Sequence, residues 1–394
     1  MKKLFIDIGS TYFKIKDSKS IKQYFRNFDK NIFDDLNEKC SDIIQMYDKE
    51  NVYICSSANG GLSTLIIGLT NSFSLKFATN IAYNSGINII DTILYPNIKA
   101  YPIASEMIDV VIVVGGIDSV KNIFSDDLIG YLEKVNYSNL VYVGSSGDAD
   151  FLKKMIPECE ILPNIIDNRL HVKEESLKEY LVNLYQADII GKEDIKDLYA
   201  VTNNQIYSTP YIVNRTLPFI SEKFYDVVDP FILIDIGGAT TDIHYSTDLV
   251  EDNLVVESGY DRLVFKKLGV YKSRESLVFS AKNNEFVYEL LNYLNVTENI
   301  LDEKSEHSTK ILMLLSIFLV LYKVSPSHKG YLTLRLERLK SIVFTGGITK
   351  VLSQEEIERI LRFVYKKLLN YTKIPTIVID RNYEIWTLRR DHVG

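Results

Sequence analysis

This chain of 394 residues has few cysteines, no excess of positive charge and no apolar run of membrane-spanning length. Each shortage excludes something. Its three cysteines, Cys40, Cys55 and Cys159, form no C-x-x-C pair, so neither a disulfide framework nor a cysteine-held iron–sulfur or zinc site is expected, and reduced thiols of a cytoplasmic protein are. The five histidines show no metal-ligand spacing. Only His244 stands beside a motif, and it reads as a strand position, not a catalytic one. A net charge of −7 gives no basic face for nucleic acid. The most apolar segment, Ile311–Tyr322, is only twelve residues between Lys310 and Lys323, too short to span a bilayer as a helix, and is expected as a buried helix. Asp7 interrupts the first apolar stretch, so no signal peptide is expected. With 46% hydrophobic and 25% charged residues, the chain is long enough for two domains.

What is present is one pattern written twice. Phe231-Ile-Leu-Ile-Asp235-Ile-Gly237-Gly238-Ala239-Thr240-Thr241-Asp242 carries a carboxylate out of a strand into a glycine turn and then into a second strand. Leu4-Phe-Ile-Asp7-Ile-Gly9-Ser10-Thr11-Tyr-Phe-Lys14 does the same. Aligning Asp7 with Asp235 pairs Gly9 with Gly237, Ser10 with Gly238 and Lys14 with Asp242. One such stretch alone is equally a β-hairpin with a glycine turn. Two of them mark a duplicated unit. A further repeat is expected between Val110–Gly116 and Ser341–Gly347, each a strand ending in a glycine pair at similar distance from its aspartate.

The chemistry of these residue types suits a nucleotide phosphate carrying Mg²⁺. Glycines let backbone N–H groups approach phosphate oxygens, and hydroxyls add donors. Asp7 and Asp235 are the candidate metal carboxylates, and Asp242 the candidate for orienting the lytic water. Ser10, Thr11, Thr240 and Thr241 are placed on the phosphates with the amides of Gly9, Gly237, Gly238 and Ala239, and Lys14 offsets phosphate charge. Strands alternating with helices between the motifs imply an α/β fold with parallel pairing. The crossing between halves is expected near 205–225, giving lobes 1–215 and 216–394.

The duplicated motifs, in this order, resemble the actin/Hsp70/sugar-kinase ATPase superfamily. The resemblance implies two RNase H-like, actin-like lobes, mixed sheets flanked by helices, around a central nucleotide cleft. It makes the two aspartate turns phosphate loops for ATP or ADP with Mg²⁺ and puts Gly346 and Gly347 on the adenosine. Within that superfamily, Cys55-Ser-Ser-Ala-Asn-Gly-Gly-Leu62, Val113-Val-Gly-Gly-Ile-Asp118, Asp235–His244 and Val256-Glu257-Ser-Gly-Tyr-Asp-Arg262 resemble the accessory protein of adenosylcobalamin-dependent glutamate mutase, the GlmL or MutL family, unrelated to the mismatch-repair ATPase of that name. Asn59 and the stretch 324–330 depart from that pattern. The resemblance implies an ATPase that reactivates a cobalamin-dependent mutase or aminomutase, acting on nucleotide and client without nucleic acid or membrane, alone or as a homo-oligomer. No cobalamin-ligand motif is present, so cobalamin binding by this chain is not expected. The Ser56–Leu62 loop is expected near the γ-phosphate or at a partner surface, or as a plain connection. Glu257 and Arg262 are either a surface pair or near nucleotide. Two other classes share the motifs: actin-like filament proteins of plasmid segregation or cell division, and small-molecule kinases.

Overall fold

The computed structural model describes residues 2–57, 62–85, 87–104, 106–118, 120–191, 193–250, 259–265, 267–328 and 332–388. In chain order it opens with β1 (Leu4–Ile8), β2 (Tyr12–Lys16), β3 (Ile21–Phe25), α1 (Ile32–Ile44) and β4 (Val52–Ser56). There follow β5 (Ser63–Gly68), α2 (Lys76–Asn84), β6 (Asn88–Leu94), β7 (Ile108–Val114), α3 (Asp126–Leu132), β8 (Tyr137–Tyr142), α4 (Ser146–Met155), β9 (Glu160–Ile161) and α5 (Glu175–Gly191). The chain then runs through α6 (Glu193–Lys196), β10 (Tyr207–Ser208) and α7 (Thr209–Thr216) to β11 (Phe231–Ile236), β12 (Thr241–Ser246) and β13 (Tyr260–Phe265). It closes with α8 (Arg274–Lys282), α9 (Val287–Tyr293), α10 (Glu306–Val324), β14 (Ser341–Gly346), α11 (Gln354–Leu368) and β15 (Thr376–Ile379).

Two of the three sheets are the same construction. One runs β3-β2-β1-β4-β10 and the other β13-β12-β11-β14-β15. In both, the first three strands pair antiparallel and the remaining pairs are parallel. The duplication expected from the aspartate turns is therefore a duplication of topology. Its second landmark differs from expectation. The counterpart of β14 is β4, not the Val110–Gly116 strand, because β7 belongs to the third sheet. A glycine pair after an apolar strand is a common local solution, and its spacing from an aspartate does not fix which sheet the strand joins.

The chain divides into two compact units, and the division differs from lobes 1–215 and 216–394. One unit comprises Met1–Gly60, Gln186–Glu251 and Ser258–Gly394, so it holds both repeated sheets; the other is mainly Gly61–Tyr185. A boundary at 215/216 would cut the last turn of α7. Within the first unit, Ile212, Val213 and Leu217 of the α7 region share a core with Cys55, Leu233, Val343 and Trp386. That core joins side chains from both repeats, and burying each large one contributes roughly 1.5–3 kcal/mol.

The second unit is a five-stranded sheet, order β6-β5-β7-β8-β9, with every pair parallel. Counted within the unit, that order is second-first-third-fourth-fifth, the flavodoxin-like doubly wound arrangement. Near-continuous apolar strands such as Ile108–Val114 suit burial on both faces.

The apolar segment at 311–322 lies within α10, which is longer than the sequence reading allowed. By length and composition its 19 residues could cross a membrane, but 72% of the apolar window is buried within the protein. Burial, not length, marks it as a core helix.

Candidate functional site

The two hairpins repeat in detail. Gly9 N donates to Tyr12 O at 2.9 Å, and Gly237 N donates to Thr240 O at 2.9 Å. Across the first hairpin Asp7 faces Lys14; across the second Asp235 faces Asp242. Equivalent positions thus carry a cation in one repeat and an acid in the other.

The turns lie against each other within the first unit. A Cβ on Gly238 would fall 2.1 Å from Thr11 Oγ1 and 3.3 Å from Ser10 Oγ. A Cβ on Gly346 would fall 2.1 Å from Asp235 Oδ1, and Gly346 has φ of +84°. Only glycine admits these approaches. A cavity of about 360 Å³ opens between them, and Asp7, Asp235, Asp242, Lys14, Gly346 and Gly347 all border it.

The aspartates differ in their surroundings. Asp7 is buried and receives three side chains: Thr209 Oγ1 at 2.6 Å, Lys14 Nζ at 2.9 Å and the Cys55 thiol at 3.6 Å. Three donors on one carboxylate fix its orientation. Among the described residues no side chain donates a hydrogen bond to Asp235. Burial pushes its pKa up to about 6; Lys14 opposes that rise, and Asp7 and Asp380 add to it. Burial also works against the Lys14 ammonium, but Asp7 and Asp235 outweigh it and hold Lys14 protonated well above the usual lysine range. Lys14 Nζ also lies 4.9 Å from the centre of the Tyr383 ring, and Lys350 Nζ lies 5.6 Å from the same ring. Asp242 is buried and its Oδ2 accepts from Thr240 Oγ1 at 3.1 Å.

Most residues singled out in the sequence border this cavity: Gly9, Ser10, Thr11 and Lys14 from the first turn, and Gly237, Gly238, Thr240 and Asp242 from the second. Two do not. Thr241 is fully buried, and its hydroxyl donates to Leu268 O at 2.8 Å and meets Ser316 Oγ at 3.0 Å. It is the first residue of β12, and strand alternation turns it away from Thr240 and into the core. Ala239 is also absent from the lining; its carbonyl accepts from Ser273 Oγ at 2.7 Å. Ser57 reaches the cavity, whereas residues 58–61 lie outside the described residues, so the loop expected there is followed no further. Glu257 also lies outside them. Arg262 is buried on β13 opposite His244 and does not border the cavity. His244 is buried, 3.1 Å from Asn214 Oδ1, and burial first and Arg262 second keep it neutral.

Several residues escaped the sequence reading. Thr209 and Pro210 open α7 at the cavity, behind the Ser208 cap. The Ser-Thr-Pro start of a helix is legible, but its contact with Asp7, 202 positions away, is not. Arg26 braces the first turn from outside, donating to Gly9 O at 3.0 Å. The second turn is clamped by the stretch before α8: Gly238 O accepts from Tyr271 N at 2.9 Å and Lys272 N at 2.7 Å. Tyr271 in turn packs edge-on against Phe25 of the first repeat, 5.9 Å between ring centres.

The donor set fits a Mg²⁺–nucleotide. Hydroxyls and two lysines, Lys14 and Lys350, border the cavity with carboxylates from both repeats; the Gly9 and Gly237 amides expected on phosphate are instead committed to Tyr12 O and Thr240 O within their own turns. Among the described residues no group of three or more His, Cys, Asp or Glu is arranged to hold a metal ion by itself. Mg²⁺ prefers one or two carboxylates, water and substrate phosphate to an all-protein cage, and two facing aspartates offer that.

Residues 3–312 match the profile of a family described as MutL protein. Protein MutL of Clostridium tetanomorphum is 23% identical over 203 residues, which is 49% of this chain and 44% of that protein; the match thus spans less than half of that relative's length. Among solved structures, a non-polymerising mutant of MamK bound to AMPPNP is 11% identical at a TM-score of 0.30, over 99% of this chain and 98% of that one. The activator of 2-hydroxyisocaproyl-CoA dehydratase from Clostridium difficile, with bound ADPNP, is 11% identical at a TM-score of 0.30, over 98% of this chain and 92% of that one. Superpositions this loose carry no inference about fold or ligand, and the duplicated topology rests on the strand order itself.

Proposed function

The chain belongs to the MutL protein family, and on that footing we propose that it binds Mg·ATP, hydrolyses it slowly, and serves as the accessory or reactivating chaperone of an adenosylcobalamin-dependent mutase or aminomutase. The observation that carries the nucleotide part is the meeting of the two aspartate turns, Gly238 against Thr11, over a cavity bordered by Asp7 and Asp235. Family membership supports the client part. Three cysteines, none in a disulfide and all buried, support a reducing, cytoplasmic setting.

In this reading Asp7 and Asp235 are the residues that would hold Mg²⁺. The bound ion supplies charge neutralisation at the phosphates. Thr209 and Cys55 keep Asp7 oriented, and Asp7 in turn holds Lys14 toward the phosphate. Ser10, Thr11 and Thr240 donate to phosphate oxygens. Asp242, steadied by Thr240, orients the attacking water. Gly346 and Gly347 leave room for the adenosine. Loss of the γ-phosphate changes what the two turns hold between them, and a client that prefers one state feels the change.

The test is capture of the full chain's partner from its own organism with ATP and with ADP. Recovery of a cobalamin-dependent enzyme in a nucleotide-dependent manner supports the proposal. ATP-dependent pelleting of the purified chain without such a partner would instead mark an actin-like filament protein and overturn the accessory role.

A further inference from the structure

The nucleotide reading uses only the first unit. The second, mainly Gly61–Tyr185, has its own place for a ligand. In an open parallel sheet the crevice outside the carboxyl ends of two adjacent strands binds ligands where their outgoing connections run to opposite sides. Here those strands are β5, which leads to β6, and β7, which leads the other way to β8. A crevice of about 270 Å³ opens at that point, between Leu69 and Thr70 after β5 and Gly116 and Ile117 after β7, with Val120 and Leu170 also bordering it.

The crevice is preformed. The buried Asp148 carboxylate accepts from Ile123 N at 2.8 Å and Phe124 N at 3.2 Å, and Ser145 Oγ donates to Val120 O. These bonds pin the loop after β7 from beneath. Gly116 has φ of +77°, and a Cβ there would fall 2.0 Å from Ile123 Cδ1, so the loop passes the crevice in a form glycine permits.

Its chemistry differs from a phosphate site. Among the described residues no charged side chain borders it. The helical turn after β5 is capped by its own hydroxyls: Ser74 Oγ accepts from Thr70 N at 2.8 Å, and Thr70 Oγ1 accepts from Ser74 N at 3.3 Å. Beside it, across Asn164, lies a compartment of about 210 Å³ with a mixed lining, in which Asp118, Asp167, Ser146 and Lys173 supply the polar groups. Asn164 Nδ2 donates to Gly116 O at 3.0 Å and to Asp118 Oδ1 at 3.1 Å, forming the partition. Asp118 also accepts from Ser146 N at 3.2 Å, in the first turn of α4. Two carboxylates against the one ammonium of Lys173 leave this border net negative, which disfavours an anion and favours a hydrogen-bond donor on the remaining carboxylate lone pairs.

We propose that this crevice is a second ligand site, taking an uncharged, ring-bearing small molecule whose polar arm carries hydrogen-bond donors. The apolar compartment receives the ring, and the Asp118–Asp167 compartment the arm.

Riboflavin, an uncharged tricycle with a hydroxylated arm, is the probe, and FMN is its phosphorylated counterpart. Both are titrated by fluorescence into the full chain, with and without Mg·ATP. The expected result is riboflavin binding with Kd below about 100 μM, roughly −5.5 kcal/mol, at least about tenfold tighter than FMN and unaffected by Mg·ATP. Val120→Trp fills the crevice from an exposed rim position and is expected to weaken riboflavin at least about tenfold while leaving stabilisation by Mg·ATP unchanged. Ile117→Asp introduces a charge and is expected to act in the same direction. Absence of riboflavin binding, equal binding of FMN, displacement by Mg·ATP or indifference to Val120→Trp each overturns the proposal. Because Mg·ATP stabilisation is read on the same variants, a failure here is distinguishable from a failure of the nucleotide reading.

Discussion

Gly238 and Thr11 stand so close that a methyl group on the glycine would lie 2.1 Å from the threonine hydroxyl. The contact joins the turn of one repeat to the turn of the other. Gly238→Ala is expected to push the turns apart and weaken Mg·ATP by about tenfold, ~1.4 kcal/mol, with little change in the far-UV spectrum. Calorimetric titration reads the affinity; an unchanged value would mean that the close approach is incidental.

Asp7→Ala and Asp235→Ala are each expected to abolish the rise in melting temperature given by Mg·ATP, since a ligand bound only to the folded state raises it by mass action. A double variant that keeps the full rise would remove both residues from the site.

Asp242→Asn is expected to keep nucleotide affinity within a few-fold and to lower turnover on the order of 100-fold, the usual scale for a positioned base. Single-turnover hydrolysis separates the two effects. Wild-type turnover in this variant would take Asp242 out of the reaction.

The pH dependence follows from Asp235, whose pKa of about 6 lies above the ordinary 3.8. Between those values the folded state holds the proton more tightly than the unfolded one, so the stability this group contributes is present at low pH and is lost as pH rises through about 6. Asp235→Asn is therefore expected to raise the melting temperature of the nucleotide-free protein at pH 7.5 by roughly 2 °C, with the gain vanishing near pH 4. Mg·ATP needs the ionised carboxylate, so wild-type affinity should fall about tenfold per pH unit below 6. A flat affinity profile from pH 5 to 7 contradicts this.

Thr209→Val removes the 2.6 Å donor from Asp7 at nearly constant volume. Leaving a buried carboxylate short of a partner costs about 1–3 kcal/mol. Denaturant unfolding should report that loss, and Mg·ATP affinity should fall with it. Thr209→Ser, which keeps the hydroxyl, should restore both.

Local rules carried some of this into the sequence. A strand that ends in Asp-x-Gly and resumes three or four residues later turns back on itself, so both hairpins and their acids were legible, as was the equivalence of Lys14 and Asp242 in the two repeats, one opposite Asp7 and the other opposite Asp235. Tertiary packing decided the rest. Thr240 and Thr241 look alike as letters, but strand alternation gives one to the cavity and the other to the core. Thr209, Arg26 and Tyr383 reach the site across long sequence separations that no local pattern encodes. That β4 and not β7 answers β14 depends on which strands exchange hydrogen bonds. The sequence on its own determined the two turns and their chemistry, because turn geometry is set by neighbouring residues. That the turns face each other, and that residues 61–185 form a separate parallel sheet with its own crevice, was decided only by the folded chain, because burial and strand pairing are properties of the whole.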